Sequence, residues 1–99
     1  MLGVGMPRNA PTRVLITGAG SGLGRALAQR YAAAGSRVAC VDIDLDRAEA
    51  TRALLDGPAE HPRAWQADVS DDQSMIELQE RVMDDWGGLR VVVNNAGVA

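Results

Sequence analysis

The stretch VLITGAGSGLG, residues 14–24, joins a short apolar run to a cluster of glycines and so decides the fold. The run Val14–Thr17 is typical of a buried strand in a parallel sheet, and the spacing of apolar residues after the glycines predicts a helix. Such a loop presents bare backbone N–H groups and the positive end of a helix dipole, which together bind phosphate. Gly18 makes the tight turn, Gly22 lets the backbone approach a pyrophosphate, and Gly24 lets the helix pack closely on the sheet.

The glycine pattern is T-G-x-x-x-G-x-G, which differs from the strict G-x-G-x-x-G of many dinucleotide-binding loops. A glycine cluster alone is weak support, because flexible loops are also rich in glycine. Here a buried strand precedes it, an amphipathic helix follows it, and an acid, Asp42, lies 24 residues beyond Gly18 at the end of the second predicted strand. This combination predicts a dinucleotide site.

From Arg13 onward, short apolar runs alternate with segments of helical periodicity, the pattern of β-α-β units around a parallel sheet. We expect Gly35 to end the first helix in the left-handed conformation and Asp44 to cap the second. Ser70 and Gln73 have capping-box spacing for the third. The predicted strands are Val14–Thr17, Arg37–Val41, Arg63–Ala67 and Val91–Val93, and the predicted helices are Gly22–Ala34, Leu45–Leu55 and Asp71–Trp86. Their predicted buried faces are Leu23, Ala26, Leu27, Tyr31 and Ala34 in the first helix, Leu45, Ala48, Thr51 and Leu55 in the second, and Met75, Leu78, Val82 and Trp86 in the third.

Composition limits the functions open to this chain. With 99 residues, 46% of them hydrophobic and 23% charged, it is one globular domain at most. A formal net charge of -3 argues against nucleic acid and anionic membranes as partners. Cys40 is the only cysteine, which excludes an internal disulfide or a multi-cysteine metal site and favours a reducing, cytoplasmic setting. We expect residues 1–12 to form a disordered tail and residues 13–99 to fold.

Asp42 stands where a carboxylate accepts hydrogen bonds from the adenosine ribose hydroxyls and repels the extra phosphate of NADP. Ser21 and Ile43 offer none of the positive charge that this phosphate would need. The sequence therefore predicts NAD rather than NADP as the cofactor. The alternative is that Asp42 only opens the turn before the next helix, with Asp44 as the cap.

Four motifs in this order resemble those of the short-chain dehydrogenase/reductase family. They are Thr17 to Gly24, Asp42 after the second strand, Asp68-Val69 after the third, and Asn94-Asn-Ala-Gly97 after the fourth, and the resemblance covers Arg13 to Ala99. It implies an α/β fold, a Rossmann-type doubly wound parallel sheet that is incomplete here, with strand order 3-2-1-4. The first two helices should cover one face of this sheet, and the third should begin to cover the other.

The resemblance also implies roles for individual residues. Asp68 would hydrogen-bond the adenine amino group, with the backbone at Val69 beside the ring. Asn95, Ala96 and Gly97 would line the adenosine ribose, and Asn94 would tie the central strands together through its side-chain amide. The complete predicted cofactor site is Gly18, Ser21, Gly22, Leu23, Gly24, Asp42, Ile43, Asp68, Val69, Asn95, Ala96 and Gly97.

Members of this family transfer a hydride between a nicotinamide cofactor and an alcohol or ketone. They use a serine and a Tyr-x-x-x-Lys pair that lie beyond the N-N-A-G motif, and the lysine lowers the pKa of the tyrosine. This chain has no lysine, and its only tyrosine, Tyr31, is expected in the core. We therefore assign no catalytic residue, expect the 99-residue chain alone to be inactive, and expect a homo-oligomer for a full-length protein.

Other titratable residues carry weaker hypotheses. His61 is expected in an exposed turn, Cys40 in the core, and the acids of the third helix on a solvated face rather than at a metal. Two alternatives to the enzyme hypothesis stay open: a truncated, non-catalytic nucleotide-binding or interaction module, and a binder of another nucleotide or of S-adenosylmethionine on the same kind of sheet.

Overall fold

Four parallel strands alternate with three helices in the computed structural model, which describes residues 11–96. The ten residues before them, most of the predicted tail, and Gly97 of the predicted site lie outside the described residues. Each predicted element is present, and each end lies within one residue of its prediction. The elements are β1 Arg13–Thr17, α1 Gly22–Ala33, β2 Arg37–Asp42, α2 Leu45–Leu54, β3 Arg63–Gln66, α3 Asp72–Trp86 and β4 Val91–Asn94.

The sheet has the predicted order β3-β2-β1-β4. In its register Thr17 lies opposite Val41 on one side and Asn94 on the other, while Asp42 lies opposite Gln66. The carboxyl ends of all four strands therefore meet at one edge, and the loops that carry the sequence motifs leave the sheet there. In doubly wound folds this edge is where ligands bind.

The helices cover the two faces of the sheet as predicted, because alternate residues of each strand point to opposite sides. On one face α1 and α2 pack against the sheet, and on the other α3 packs alone. The first core cluster is Val14, Ile16, Ala19, Ala28, Ala32, Val38, Cys40 and Ala48. The second is Leu15, Ala39, Val41, Trp65, Ala67, Leu78, Val82 and Trp86.

The predicted buried face of α1 is wrong in part. The helix buries Gly24, Ala28 and Ala32, whereas Leu23, Ala26 and Ala34 are exposed. Small side chains let α1 lie close to the sheet, so the face with the smallest residues is the one that packs. Leu27 and Tyr31 are partly buried at the edges of that face and pack against the first core cluster. In α2 the predicted Ala48 and Thr51 are buried, but Leu45 at its first turn is exposed.

Two helix ends follow the prediction and one does not. Asp44 accepts hydrogen bonds from the N–H groups of Asp46 and Arg47, so it caps α2. Gly35, with a φ of 100°, ends α1. The capping box at α3 is wrong, because the N-cap is Asp71, which makes no side-chain capping bond, and Ser70 donates its hydroxyl to the Asp68 carboxylate instead.

Candidate cofactor site

The glycine-rich loop between β1 and α1 is held close to the end of β4. Gly18 has a φ of 64°, and a Cβ at this position would lie 2.9 Å from Asn95 Nδ2. A Cβ on Gly24 would collide with the Gly18 carbonyl, and Gly22 has a φ of 56° with open space around it. Each glycine of the motif therefore has a different role. Gly18 allows a left-handed turn in close contact with the end of β4, Gly24 lets α1 pack against the loop, and Gly22 leaves the backbone open to solvent.

The amino terminus of α1 faces the loop without a neutralising side chain. Ser21 occupies the N-cap in extended conformation but makes no side-chain capping bond, and the first turn contains no acid. The first helical hydrogen bond joins the Arg25 N–H to the Ser21 carbonyl, so the N–H groups of Gly22, Leu23 and Gly24 have no acceptor within the helix. Such a terminus suits an anion such as a pyrophosphate.

Asp42 ends β2 beside this loop. Its Oδ2 accepts a hydrogen bond from the Gly20 N–H at 2.9 Å, and its Oδ1 accepts one from the Asp44 N–H at 3.0 Å. The second bond is what the turn hypothesis for Asp42 requires. Because each carboxylate oxygen has another lone pair, the same side chain can also accept hydrogen bonds from a ligand.

Asp68 and Val69 follow β3 and lie across the cleft from the glycine loop. The Asp68 N–H donates to Ser74 Oγ at 2.8 Å, and Asp68 Oδ1 accepts bonds from the Ser70 hydroxyl at 2.6 Å and the Ser70 N–H at 2.9 Å. The two hydrogen bonds from Ser70, the hydroxyl first, hold the pKa of the Asp68 carboxyl below its ordinary value. Asp68 is therefore a carboxylate at neutral pH, able to accept a hydrogen bond from an amino group.

The end of β4 is tied to β1 through Thr17. The buried Thr17 hydroxyl accepts hydrogen bonds from the N–H groups of Asn95 and Ala96, at 3.0 and 3.1 Å, and lies 3.2 Å from Asn94 Oδ1. Asn95 Nδ2 donates to the Gly18 carbonyl at 3.2 Å. The predicted link between the central strands by Asn94 is thus present, and Asn95 directs its amide at the glycine loop.

These loops enclose a cleft of about 290 Å³ at the carboxyl edge of the sheet. Residues from all four sequence motifs lie in its wall. The lining residues are Thr17, Gly18, Val41, Asp42, Ile43, Ala67, Asp68, Val69 and Ala96. A second groove, of about 690 Å³, runs along α3 between Met75, Met83 and Val92. None of its residues belongs to a motif, so we place the candidate site in the smaller cleft.

Sequence reasoning gave no site role to several residues that shape this cleft. In the sequence, Thr17 belongs to the glycine motif without a role of its own, and Thr51 belongs only to the predicted inner face of α2. Arg25 donates to the Gly20 carbonyl at 2.9 Å, and Ser70 orients Asp68. A polar residue on an otherwise apolar helix face, as Thr51 is, was the one signal available in the sequence.

The remaining candidates lie apart from the cleft. Tyr31 packs at the margin of the first core cluster, and His61 is exposed with a φ of 63°. Cys40 is buried, and burial raises the pKa of its thiol to about 12. Within residues 11–96, no three His, Cys, Asp or Glu side chains are arranged to hold a metal ion. The helices of that same segment include none that is both long and apolar enough to cross a membrane.

Comparison with known proteins agrees with this geometry. A family model described as short chain dehydrogenase matches residues 12–99. The chain is 41% identical over 85 residues to D-threitol dehydrogenase of Mycolicibacterium smegmatis, covering 86% of this chain and 33% of that protein. It is 40% identical over 86 residues to human 15-hydroxyprostaglandin dehydrogenase (NAD+), covering 85% and 32%. The chain thus spans about a third of the length of these curated relatives.

Solved structures show the same architecture. A hydroxysteroid dehydrogenase from Escherichia coli superposes with a TM-score of 0.76 at 30% identity, over 87% of this chain and 37% of that one. A Brucella melitensis 16M structure titled ribose-5-phosphate isomerase gives a TM-score of 0.79 at 32% identity, over 88% and 32%. These two proteins are named for different chemistries, so this architecture does not by itself determine a reaction.

Proposed function

The chain belongs to the short-chain dehydrogenase family, and we propose that it is the NAD-binding part of an oxidoreductase acting on an alcohol or carbonyl substrate. The observation that carries this proposal is the meeting of four motif segments around one cleft at the carboxyl edge of the sheet. When bound, the nicotinamide accepts or supplies the hydride.

Features at three places in and beside the cleft support the binding of a dinucleotide. The N–H groups of Gly22, Leu23 and Gly24 at the start of α1 would bind the pyrophosphate, because they have no acceptor within the helix. Asp42 would accept hydrogen bonds from the adenosine ribose hydroxyls. Asp68 would accept one from the adenine amino group, with the backbone at Val69 beside the ring and Ala96 at the ribose.

Charge at the ribose end supports NAD over NADP. The Asp42 carboxylate would repel a phosphate on the ribose, and neither Ser21 nor Ile43 can neutralise one. Arg47 lies near the loop, but its guanidinium is 3.7 Å from the carboxylate of Asp44 on the exposed surface of α2. The preference for NAD therefore rests on Asp42.

We propose that proton transfer in the whole protein is carried by groups outside this chain. A catalytic tyrosine needs a nearby positive charge to lower its pKa, and these 99 residues include no lysine. Tyr31, in α1, packs against the first core cluster and does not line the cleft. This part of the protein would bind and orient the cofactor, and the 99-residue chain alone would not turn over substrate.

The substrate class follows only from the relatives. Two of them are named for alcohol substrates, threitol and a hydroxyprostaglandin, so a small-molecule alcohol or the matching ketone is the proposal for this protein. We also propose that the full-length protein is a homo-oligomer and that it is cytoplasmic. The location is supported by Cys40, a free thiol in the core.

Titration calorimetry of the intact protein with NAD, and separately with NADP, tests the proposal. We expect saturable binding of NAD and markedly weaker binding of NADP. Absorbance of reduced nicotinamide, followed with a panel of polyols and other secondary alcohols, then separates the enzyme from the alternative. Binding without turnover in the intact protein would favour a non-catalytic nucleotide-binding module, and no binding of either dinucleotide would contradict both.

A further inference from the structure

A chain of hydrogen bonds beneath the glycine loop links Arg25 to Asp42. Arg25 Nε donates to Thr51 Oγ1 at 3.0 Å, and Thr51 Oγ1 donates to the Ala19 carbonyl at 2.8 Å. The N–H of the same peptide unit, on Gly20, donates to Asp42 Oδ2 at 2.9 Å. Each group donates to the next, from a guanidinium at one end to a carboxylate at the other. We call this arrangement the Arg25–Asp42 hydrogen-bond chain.

The environment makes this hydrogen-bond chain hard to break at its centre. Thr51 is completely buried, so its hydroxyl has no water to replace a lost partner. Aligned hydrogen bonds polarise one another, and opposite charges at the two ends favour the same alignment. Arg25 also donates through Nη2 to the Gly20 carbonyl at 2.9 Å, which holds the next peptide group of the loop.

The loop approaches Asp42 so closely at Gly20 that no side chain could be accommodated there. A Cβ at Gly20 would lie 2.6 Å from Asp42 Oδ2 and 2.6 Å from Arg47 Cβ, although its backbone φ is not in the left-handed region. The glycine is needed here for close approach. With Oδ1 held by the Asp44 N–H, both carboxylate oxygens are fixed and Asp42 has one orientation at the cleft.

We infer that Arg25 and Thr51 are positioning residues, which set the Asp42 carboxylate through the Ala19–Gly20 peptide and thereby sharpen the preference for NAD over NADP. Neither residue lines the cleft, so they act through Asp42 and the loop. This inference rests on the proposed function. Loosening the loop would let Asp42 turn away from the ribose, which costs NAD a hydrogen bond and relieves the repulsion of NADP.

The test uses Thr51→Val, which removes the hydroxyl and keeps the shape, and Thr51→Ser, which keeps the hydroxyl. The first readout is hydrogen exchange of the Gly20 amide, followed by NMR in the protein without cofactor. We expect Thr51→Val to speed this exchange by about tenfold, and Thr51→Ser to stay near the wild-type rate. The second readout is the ratio of NAD to NADP affinity, which should fall several-fold in Thr51→Val and recover in Thr51→Ser.

If Thr51→Val does not fold, Arg25→Met replaces it, with Arg30→Met near the end of the same helix as its control. Equal losses of NAD and NADP affinity would mean a merely structural role and would overturn the inference. Unchanged Gly20 exchange would overturn the hydrogen-bond chain itself. Wild-type protein that bound neither dinucleotide would instead overturn the proposed function, and with it the cofactor part of this inference.

Discussion

In the proposed function, single side chains at the carboxyl edge of the sheet select the cofactor, and Asp42 would matter most among them. Replacing Asp42 with Ala would remove the proposed acceptor for the ribose hydroxyls and the charge that would repel a phosphate. We expect NAD affinity to fall about tenfold or more, and discrimination against NADP to relax. Calorimetry with both dinucleotides measures this. Asp46→Ala, an exposed acid four residues away, is the control, and unchanged NAD affinity in Asp42→Ala would remove Asp42 from the site.

Asp68 gives a prediction about pH. The Ser70 hydroxyl is the main cause of its lowered pKa, so Ser70→Ala should move the pKa of Asp68 up toward its ordinary value. A lowered pKa favours the folded state at pH values above about 4, the ordinary pKa of Asp, and this contribution disappears as the pH falls through the lowered value. Carboxyl-carbon NMR titration of Asp68 in both proteins checks the shift, and identical titration curves would argue against the Ser70 bond.

At the scale of one element, the cap of α2 can be tested separately from the site. Asp44→Ala leaves the Asp46 and Arg47 N–H groups without their acceptor, and we expect a loss of about 1 kcal/mol in the free energy of unfolding. Asp46→Ala in the first turn of the same helix loses only a favourable interaction with the helix dipole, a few tenths of a kcal/mol. Urea denaturation of both variants makes the comparison. Equal losses would mean that Asp44 does not cap the helix.

The sequence predicts the elements well because nearly every boundary has a local cause, such as Asp44 at the start of α2 or Gly35 after α1. It predicts the face of α1 poorly, because the face that packs carries Gly24, Ala28 and Ala32 rather than bulky residues. Ser70 and Gln73 satisfy the capping-box spacing, yet the N-cap of α3 is Asp71, one residue later than that spacing requires, and the Ser70 hydroxyl donates to the Asp68 carboxylate.

The cleft itself was predictable because each motif follows a strand, and parallel strands end at one edge. The hydrogen bonds beneath the loop were not, since Arg25 and Thr51 are distant in sequence and meet only when α1 and α2 pack on the sheet. No periodicity or local motif joins them.

For the whole molecule, the reactivity of the Cys40 thiol measures how often β2 becomes exposed to solvent. Cys40 lies in β2 between Ile16 and Ala64 of the adjacent strands, and burial raises its pKa to about 12. We expect iodoacetamide to leave it unmodified in the folded protein at neutral pH and to label it fully in denaturant. Mass spectrometry measures the adduct. Rapid labelling without denaturant would mean that β2 opens readily.

Within residues 11–96, only α3 covers the second face of the sheet, which leaves apolar side chains of the 99-residue chain exposed there. Val92, Met83 and Ile76 are 59%, 55% and 51% exposed along one apolar groove, so we expect marginal stability and concentration-dependent association. Light scattering should fall in Met83→Gln. It should fall much less in Leu54→Gln, where a similarly exposed leucine lies on α2 outside that groove. A reversible, cooperative melt of a monomer would contradict this expectation.

An amide NMR titration of the protein with NAD would show directly where the dinucleotide lies. We predict that the largest shifts fall on the backbone N–H groups of Gly18 to Gly24 and on those of Asp42 and Asp68, with NADP giving weaker shifts at the same positions. Shifts confined to α3 and its apolar groove, or no shifts at saturating NAD, would contradict the assignment of the cleft as the cofactor site.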